Sequence, residues 1–280
     1  MKPCLINGIA ADYVLVMDRG LHYGDGVFET IACVAGSAQF VHEHLARLRE
    51  GAQRLAIAFP DEALFIQDIN ALLSWMGETG DCVIKLMLTR GAGRRGYRYD
   101  RRQTPTRISL RSDWPEQVGR LKQGMRTCFC ETPISVNARL AGIKHLNRLD
   151  NVLASAELGE LYDEGFMMDP QGNVIEATMS NVFACIDGVL ITPDLAHCGV
   201  QGIIRHKLLN IAAELGLQTR IRALQQHELQ AAAEVFVCNS VLGVCPVTRV
   251  VEQDKKPGEI TNMLDHALRH LIQNNAQATE

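Results

Sequence analysis

The apolar residues of this chain come in pieces. No uninterrupted apolar run reaches the roughly 18 to 20 residues that a membrane helix needs. Strand-length runs rich in Val, Ile, Phe and Leu instead alternate with segments whose apolar residues return every three or four positions. Few architectures satisfy both periods. The pattern points to an α/β or α+β fold with mixed sheets, and no internal repeat is visible. With 47% hydrophobic and 21% charged residues, the chain has enough apolar side chain to offset the entropy of ordering, which excludes disorder as its main state. The formal charge of −4 argues against a polybasic nucleic-acid binder. The opening residues through Gly8 carry no apolar core of a secretory signal. Nine cysteines, an odd number without a CxxC pair, lie mostly in apolar runs and read as reduced thiols of a cytoplasmic protein rather than a disulfide frame or zinc site.

Strands are predicted at Cys4–Asn7, Tyr13–Val16, Val27–Val34, Cys82–Thr89 and Thr106–Leu110. Leu45, Leu48, Ala52 and Leu55 predict a helix over His42–Phe59, and Pro60-Asp61 opens another to about Met76. The polar stretch Ser112–Gly119, with Trp-Pro, is the best boundary. The expected organisation is an N-terminal α/β domain (1–111), a linker (112–120) and a C-terminal domain (121–280). In the second half, Met125–Glu131, Phe166–Met168, Val174–Thr178, Asn181–Ile186, Val189–Thr192, Thr219–Ala223, Glu234–Cys238 and Thr248–Val251 are predicted strands. Asn147, followed by Asp150, reads as a helix start, with a stripe of Leu149, Val152, Leu153 and Ala156 running to about Tyr162. Gly202 opens a helix to Leu215, and an amphipathic helix ends the chain.

Four groups of residues have chemical potential. Lysine is scarce, seven against 21 arginines, so Lys144 in Leu140-Ala141-Gly142-Ile143-Lys144-His145-Leu146 stands out. A free lysine with a pKa of about 10.4 is neutral at pH 7 only about once in 2,500 molecules. Desolvation among apolar neighbours lowers that pKa and makes the amine a nucleophile; a snorkelling loop lysine is the alternative. Glu176 lies on an apolar strand and needs a partner, either a pyridinium nitrogen or a nearby arginine. The glycine turn before Ile203-Ile204-Arg205 leaves helix amides pointing outward, which suits a phosphate. Ser240 and Val241, at a strand end, offer a hydroxyl and an amide, and Arg47 offers a bidentate guanidinium. Finally, Arg90-Gly91-Ala92-Gly93-Arg94-Arg95-Gly96-Tyr97 begins a stretch with six arginines in 13 positions. It reads as a nucleic-acid patch, as a rim attracting a small polyanionic substrate, or as a solvated loop.

Taken together these pieces resemble the fold-type IV pyridoxal-phosphate enzymes, which include branched-chain aminotransferases, D-amino acid transaminases and 4-amino-4-deoxychorismate lyases. Asp18-Arg19-Gly20 with Tyr23-Gly24-Asp25-Gly26-Val27-Phe28-Glu29 resembles the N-terminal signature, and His42–Leu48 the helix with the phosphate arginine, here Arg47. Lys144 falls at the Schiff-base lysine. Glu176 with Ser180-Asn181-Val182-Phe183 matches the carboxylate for the pyridine nitrogen and the segment after it. Gly202-Ile203-Ile204-Arg205 resembles the phosphate cup. The joint order covers nearly the whole chain, and the implied fold is the two-domain one of D-amino acid aminotransferases.

Within the family, Leu140–Leu149 and Thr89–Tyr97 are most similar to the lyases. That resemblance implies conversion of 4-amino-4-deoxychorismate to 4-aminobenzoate and pyruvate in folate synthesis. Pyridoxal 5'-phosphate would be held by Lys144, Glu176, Arg47, Ile203, Ile204, Ser240 and Val241. Arg90, Arg94, Arg95 and Tyr97 would meet the substrate, in a cytoplasmic homodimer that uses no metal, nucleic acid or membrane. Three positions depart from family patterns. Glu29 replaces a threonine of some lyases, Phe28 a frequent tyrosine of transaminases, and Asn137 a carboxylate-binding arginine of D-amino acid transaminases, with Arg139 close by. The rivals are an aminotransferase of the same fold, a non-catalytic nucleic-acid binder, and a structural protein on the same scaffold.

Overall fold

The structure, a computed structural model, describes residues 3–75 and 80–277. The chain forms two units. One comprises the residues through Trp114 together with Ile143–Asn147 and the end of the chain from Asn274; the other comprises Pro115–Gly142 and Arg148–Gln273. The excursion Ile143–Asn147 is the point of interest. The chain leaves the second unit after Gly142, contributes five residues to the first, Lys144 among them, and returns at Arg148.

The first unit is a six-stranded antiparallel sheet with two covering helices. Its strands are β1 (Cys4–Ile6), β2 (Ile9–Ala10), β3 (Gly26–Val34), β4 (Ser37–Ala38), β5 (Cys82–Thr89) and β6 (Thr106–Asp113), in the order β2-β1-β6-β5-β3-β4. Its helices are α1 (Arg19–Tyr23), α2 (Val41–Arg54) and α3 (Glu62–Leu73). Period-2 alternation sends Val27, Ile31 and Cys33 of β3 into a core with Leu45, Leu48 and Ala52 of α2 and Phe65, Ile69 and Leu72 of α3. Each fully buried Leu or Ile there contributes about 1.5–3 kcal/mol. Phe28 and Thr30 consequently occupy the other face, opposite Met87 and Lys85 of β5.

The second unit holds a nine-stranded mixed sheet. Its strands are β7 (Met125–Phe129), β8 (Glu164–Met168), β9 (Val174–Ala177), β10 (Asn181–Ile186), β11 (Val189–Pro193), β12 (Thr219–Arg222), β13 (Glu234–Asn239), β14 (Gly243–Val250) and β15 (Gln253–Asp254). The path runs β12-β11-β10-β13-β14-β7-β8-β9, with β15 on β14. Helices α4 (Val118–Leu121), α5 (Leu149–Ala156), α6 (Ile203–Glu214), α7 (Gln226–Ala231) and α8 (Glu259–Gln277) complete the chain.

Several local expectations change. Tyr13–Val16 forms no strand: β2 takes the place beside β1, and Tyr13, Leu15 and Val16 stay exposed. α2 stops at Arg54 rather than Phe59: Ala56 turns left-handed (φ 52°) and the Ile57 amide folds back to the Ala52 carbonyl. α3 starts as expected, with Asp61 accepting from the Ala63 amide, but ends at Leu73; Met76 lies outside the described residues. α5 begins after Arg148 and ends at Ala156, and Asn147 caps nothing, since its Nδ2 donates to the Gly24 carbonyl. No residue of the expected stripe is buried: Leu149 is 74% exposed, and the helix buries Ala154 instead. β14 starts earlier, at Gly243, and the short helices α1, α4 and α7 carry too few periodic residues to be seen in the sequence.

Candidate active site

Lys144 is held by backbone pairing. The Phe28 amide donates to the Lys144 carbonyl at 2.9 Å and the Leu146 amide to the Gly26 carbonyl at 3.0 Å, so residues 144–146 run antiparallel to the start of β3. The half-buried ammonium lies 4.6 Å from the centroid of the Phe28 ring. A second lysine, Lys85, reaches the same ring at 5.0 Å, and burial lowers its pKa. Sequence reasoning missed Lys85. Its signal was there: a lysine within the apolar strand Val83-Ile84-Lys85-Leu86-Met87.

On the opposite face of β3, Glu29 is wholly buried. Its Oε1 accepts from Arg47 Nε at 2.7 Å, and its Oε2 from an Arg47 terminal nitrogen at 2.5 Å. His44 Nδ1 donates to Oε2 at 2.6 Å, since a carboxylate only accepts. Burial alone would raise the Glu29 pKa, yet the charge of Arg47 and the hydrogen bonds from Arg47 and His44 bring it down to about 2. The His44 pKa is lowered, first by burial and further by the charges of Arg47 and Lys144, against the pull of Glu29. His44 therefore stays neutral, with its Nε2 buried and without a hydrogen-bond partner among the described residues.

The arginine-rich loop divides. Arg90 is buried, with four hydrogen bonds: two to Asp25, one each to the Leu55 and Ala56 carbonyls that end α2. Its guanidinium stacks 3.6 Å from the Tyr99 ring centroid. Arg94 and Arg95 are exposed, and Tyr97 is 85% exposed.

In the second unit, Glu176 lies buried on β9, where its Oε2 accepts from the Val200 amide at 2.7 Å. Gly199 precedes that amide at φ +82°, and a Cβ there would press on Leu195 and Ile175. α6 begins with Gly202 as N-cap and no side-chain cap hydrogen bond, so no side chain competes for the amides of Ile203 and Ile204. A Cβ at Gly202 would collide with Asn181 Oδ1, whose amide group donates to the Val200 carbonyl at 2.9 Å. Ser240 is half-buried, whereas the Val241 amide already donates to Asn239 Oδ1 at 3.0 Å. Glu164 underlies this region. It accepts from the Thr178 and Ser180 hydroxyls and the Gly165 amide, and burial still raises its pKa. Asn239 in turn donates to Ser180 Oγ at 3.1 Å.

Each unit contributes donors specific in kind: the first an amine on an aromatic ring and an arginine, the second a restrained buried carboxylate and an uncapped helix start. These fit an aldehyde, a basic ring nitrogen and a phosphate. All nine cysteines are free thiols. No helix among the described residues is long and apolar enough to cross a membrane.

Comparison with known proteins bears on this set. The profile of amino-transferase class IV matches residues 26–250. An aminodeoxychorismate lyase of Vibrio harveyi is 32% identical over 257 residues, covering 90% of this chain and 92% of its own. A putative branched-chain-amino-acid aminotransferase of Methanocaldococcus jannaschii is 31% identical, covering 92% and 91%. The crystal structure of 4-amino-4-deoxychorismate lyase from Pseudomonas aeruginosa superposes with a TM-score of 0.89 at 42% identity, covering 95% of this chain and 98% of that one.

Proposed function

The chain belongs to the amino-transferase class IV family, and from that premise we propose that it is a pyridoxal-phosphate lyase that converts 4-amino-4-deoxychorismate to 4-aminobenzoate and pyruvate. The observation that carries the reading is the amine of Lys144 set on the Phe28 ring with a second cation, Lys85, beside it. The proposed substrate bears two carboxylates, and a catalytic amine flanked by another cation suits a dianion. Likeness to two lyases, one at 42% identity over nearly the full chain, supports the choice over transamination.

Bound pyridoxal phosphate supplies an electron sink conjugated to the substrate's amine. Lys144 Nζ is the amine that would hold the cofactor by its aldehyde. The same Nζ would take the proton from the substrate ring carbon that carries nitrogen. Loss of that proton with cleavage of the neighbouring ring carbon–oxygen bond would make the ring aromatic and release enolpyruvate with the electron pair on its oxygen, and protonation of its methylene carbon would give pyruvate. Glu176 would keep the cofactor's ring nitrogen protonated, and its bond from the Val200 amide fixes the carboxylate for that task. Arg47, the amides of Ile203 and Ile204, and Ser240-Val241 hold the phosphate, the Val241 amide only if it releases Asn239. Arg94, Arg95, Tyr97 and Lys85 meet the substrate carboxylates. Arg90, committed to Asp25 and two carbonyls, serves by holding its loop. A second copy covers exposed apolar residues such as Leu149 and Val152 to form a homodimer, and the nine thiols suit the cytoplasm.

The test is pyruvate release from 4-amino-4-deoxychorismate, with D-alanine plus 2-oxoglutarate run in parallel. We expect pyruvate and 4-aminobenzoate in equal amounts in the first assay. Turnover in the second alone reassigns the protein to transamination.

A further inference from the structure

Asp25 sits in the loop between α1 and β3 and touches two buried arginines. Its Oδ2 accepts from Arg19 Nε at 2.9 Å and from Arg90 Nε at 2.8 Å, and its Oδ1 from Arg90 at 3.0 Å. Each arginine carries the restraint onward. Arg19 donates to the Gly96 carbonyl at 2.7 Å and the Tyr97 carbonyl at 3.3 Å, while Arg90 grips the end of α2. Each guanidinium also lies on a tyrosine, Arg19 at 4.7 Å from the Tyr23 ring and Arg90 at 3.6 Å from that of Tyr99. Tyr23 completes the brace: its hydroxyl accepts from the Gly96 amide at 3.1 Å and its ring meets Tyr97 at 5.4 Å. The near end of the loop is tied separately, by the Gly93 amide to the Met17 carbonyl and by Gln103 to the carbonyls of Gly91 and Ala92. The stretch 94–97, with Arg94, Arg95 and Tyr97 exposed, is thus anchored on both sides.

We propose that Asp25, acting through Arg19 and with Arg90 tying it to the end of α2, is a positioning residue that fixes the backbone of residues 94–97 in advance of substrate and thereby sets substrate affinity. This rests on the reading above, in which Arg94, Arg95 and Tyr97 receive the substrate's carboxylates. The physical reason is preorganisation. Arginines on a loose loop lose backbone and side-chain freedom on binding, whereas arginines on a braced loop lose only the side-chain part. Asp25 itself touches no reacting atom in this scheme, so its effect falls on binding rather than on proton transfer.

The experiment uses the holoenzyme and two variants. Asp25→Asn keeps the size of the side chain and removes its charge; Arg19→Gln removes the bonds to Gly96 and Tyr97 while leaving Arg90 on Asp25. Tryptic cleavage after Arg94 and Arg95 is timed by mass spectrometry, and KM and kcat for 4-amino-4-deoxychorismate are measured together. We expect both variants to be cut about tenfold faster at these sites and to show KM raised about tenfold, with kcat changed less than KM, the size expected for losing a charge-assisted hydrogen bond. Unchanged cleavage overturns the brace, and a fall in kcat without a rise in KM overturns the positioning role in favour of a structural one. If Asp25→Asn does not yield folded protein, Arg19→Gln decides alone. A wild-type enzyme that makes no pyruvate overturns the functional reading instead, and the tryptic comparison, which needs no substrate, still decides whether Asp25 braces the loop.

Discussion

Two buried glutamates, one in each unit, face opposite surroundings. Glu29 on β3 meets a guanidinium and an imidazole and is held ionised, with its pKa at about 2. Glu164 on β8 meets two hydroxyls and an amide, and burial raises its pKa. The difference extends beyond the pair. The first unit assembles ionic side chains, Lys144, Lys85, Arg47 and Glu29, whereas the second relies on backbone amides, hydroxyls and a glycine turn. Charges brought into a protein interior need counter-charges at short range, while neutral donors orient without that demand. The first unit is therefore where a single substitution does most damage and where acid acts first.

The largest expected effect is at Lys144. Lys144→Ala removes the only group assigned both to anchor the cofactor and to move the proton. Turnover should fall by about a thousandfold or more, with loss of the visible absorbance of the cofactor-bound protein. Retained full turnover refutes the assignment and, with it, the view that the ionic side carries the chemistry.

Next comes Glu29→Gln, which takes the wholly buried Glu29 charge away from the half-buried Arg47. A cost of about 3–5 kcal/mol is expected, read as a fall in the urea midpoint. The pH dependence gives the sign. The folded pKa of about 2 lies below the ordinary value of 4.5, so Glu29 contributes stability above about pH 4.5 that is lost as pH falls toward 2, about 3 kcal/mol in all. His44 acts in the same direction from a higher pH, because its folded pKa lies below 6.5 and the unfolded chain takes up the proton first. Wild-type stability should thus decline on acidification, and the Glu29→Gln variant should decline less between pH 4.5 and 2. Equal slopes would show that Arg47 does not need Glu29.

Glu164→Gln should behave differently. The folded pKa is raised, so ionised Glu164 adds no stability at neutral pH, and its contribution is fully present below pH 4.5 and lost as pH rises through the folded value. The hydroxyls of Thr178 and Ser180 can turn toward an amide, and a change of about 1 kcal/mol is expected at pH 7. A loss as large as that of Glu29→Gln would erase the contrast between the units. Smallest is Ser240→Ala. With helix amides sharing the phosphate, cofactor affinity measured by absorbance titration should weaken by no more than about tenfold; a greater loss would make the hydroxyl the main holder.

Local pattern was enough for some of these residues. Lys144 stood out because a scarce residue type sat in an apolar loop, Glu176 because a carboxylate lay on an apolar strand, and Gly202 because a glycine preceded a helical period. In the structure they are a half-buried amine on a ring, a restrained buried carboxylate and an uncapped helix start. The partnerships were not legible. Arg90 reads as one more loop arginine until its salt bridge to Asp25, 65 positions away, is seen. Lys85 reaches the ring of Phe28 only because β3 and β5 pair with Thr30 opposite Lys85. The α5 stripe has the correct period and still faces outward.

The amino-acid order alone determined the alternation of strands and helices, the positions of the turns, and the residue types able to act on an aldehyde, a ring nitrogen and a phosphate. Periodicity and backbone preference are properties of neighbours along the chain. Only the folded structure decided which charges neutralise one another, which lysines share a ring and which arginines remain exposed, because strand register and helix docking bring together side chains that no local pattern connects.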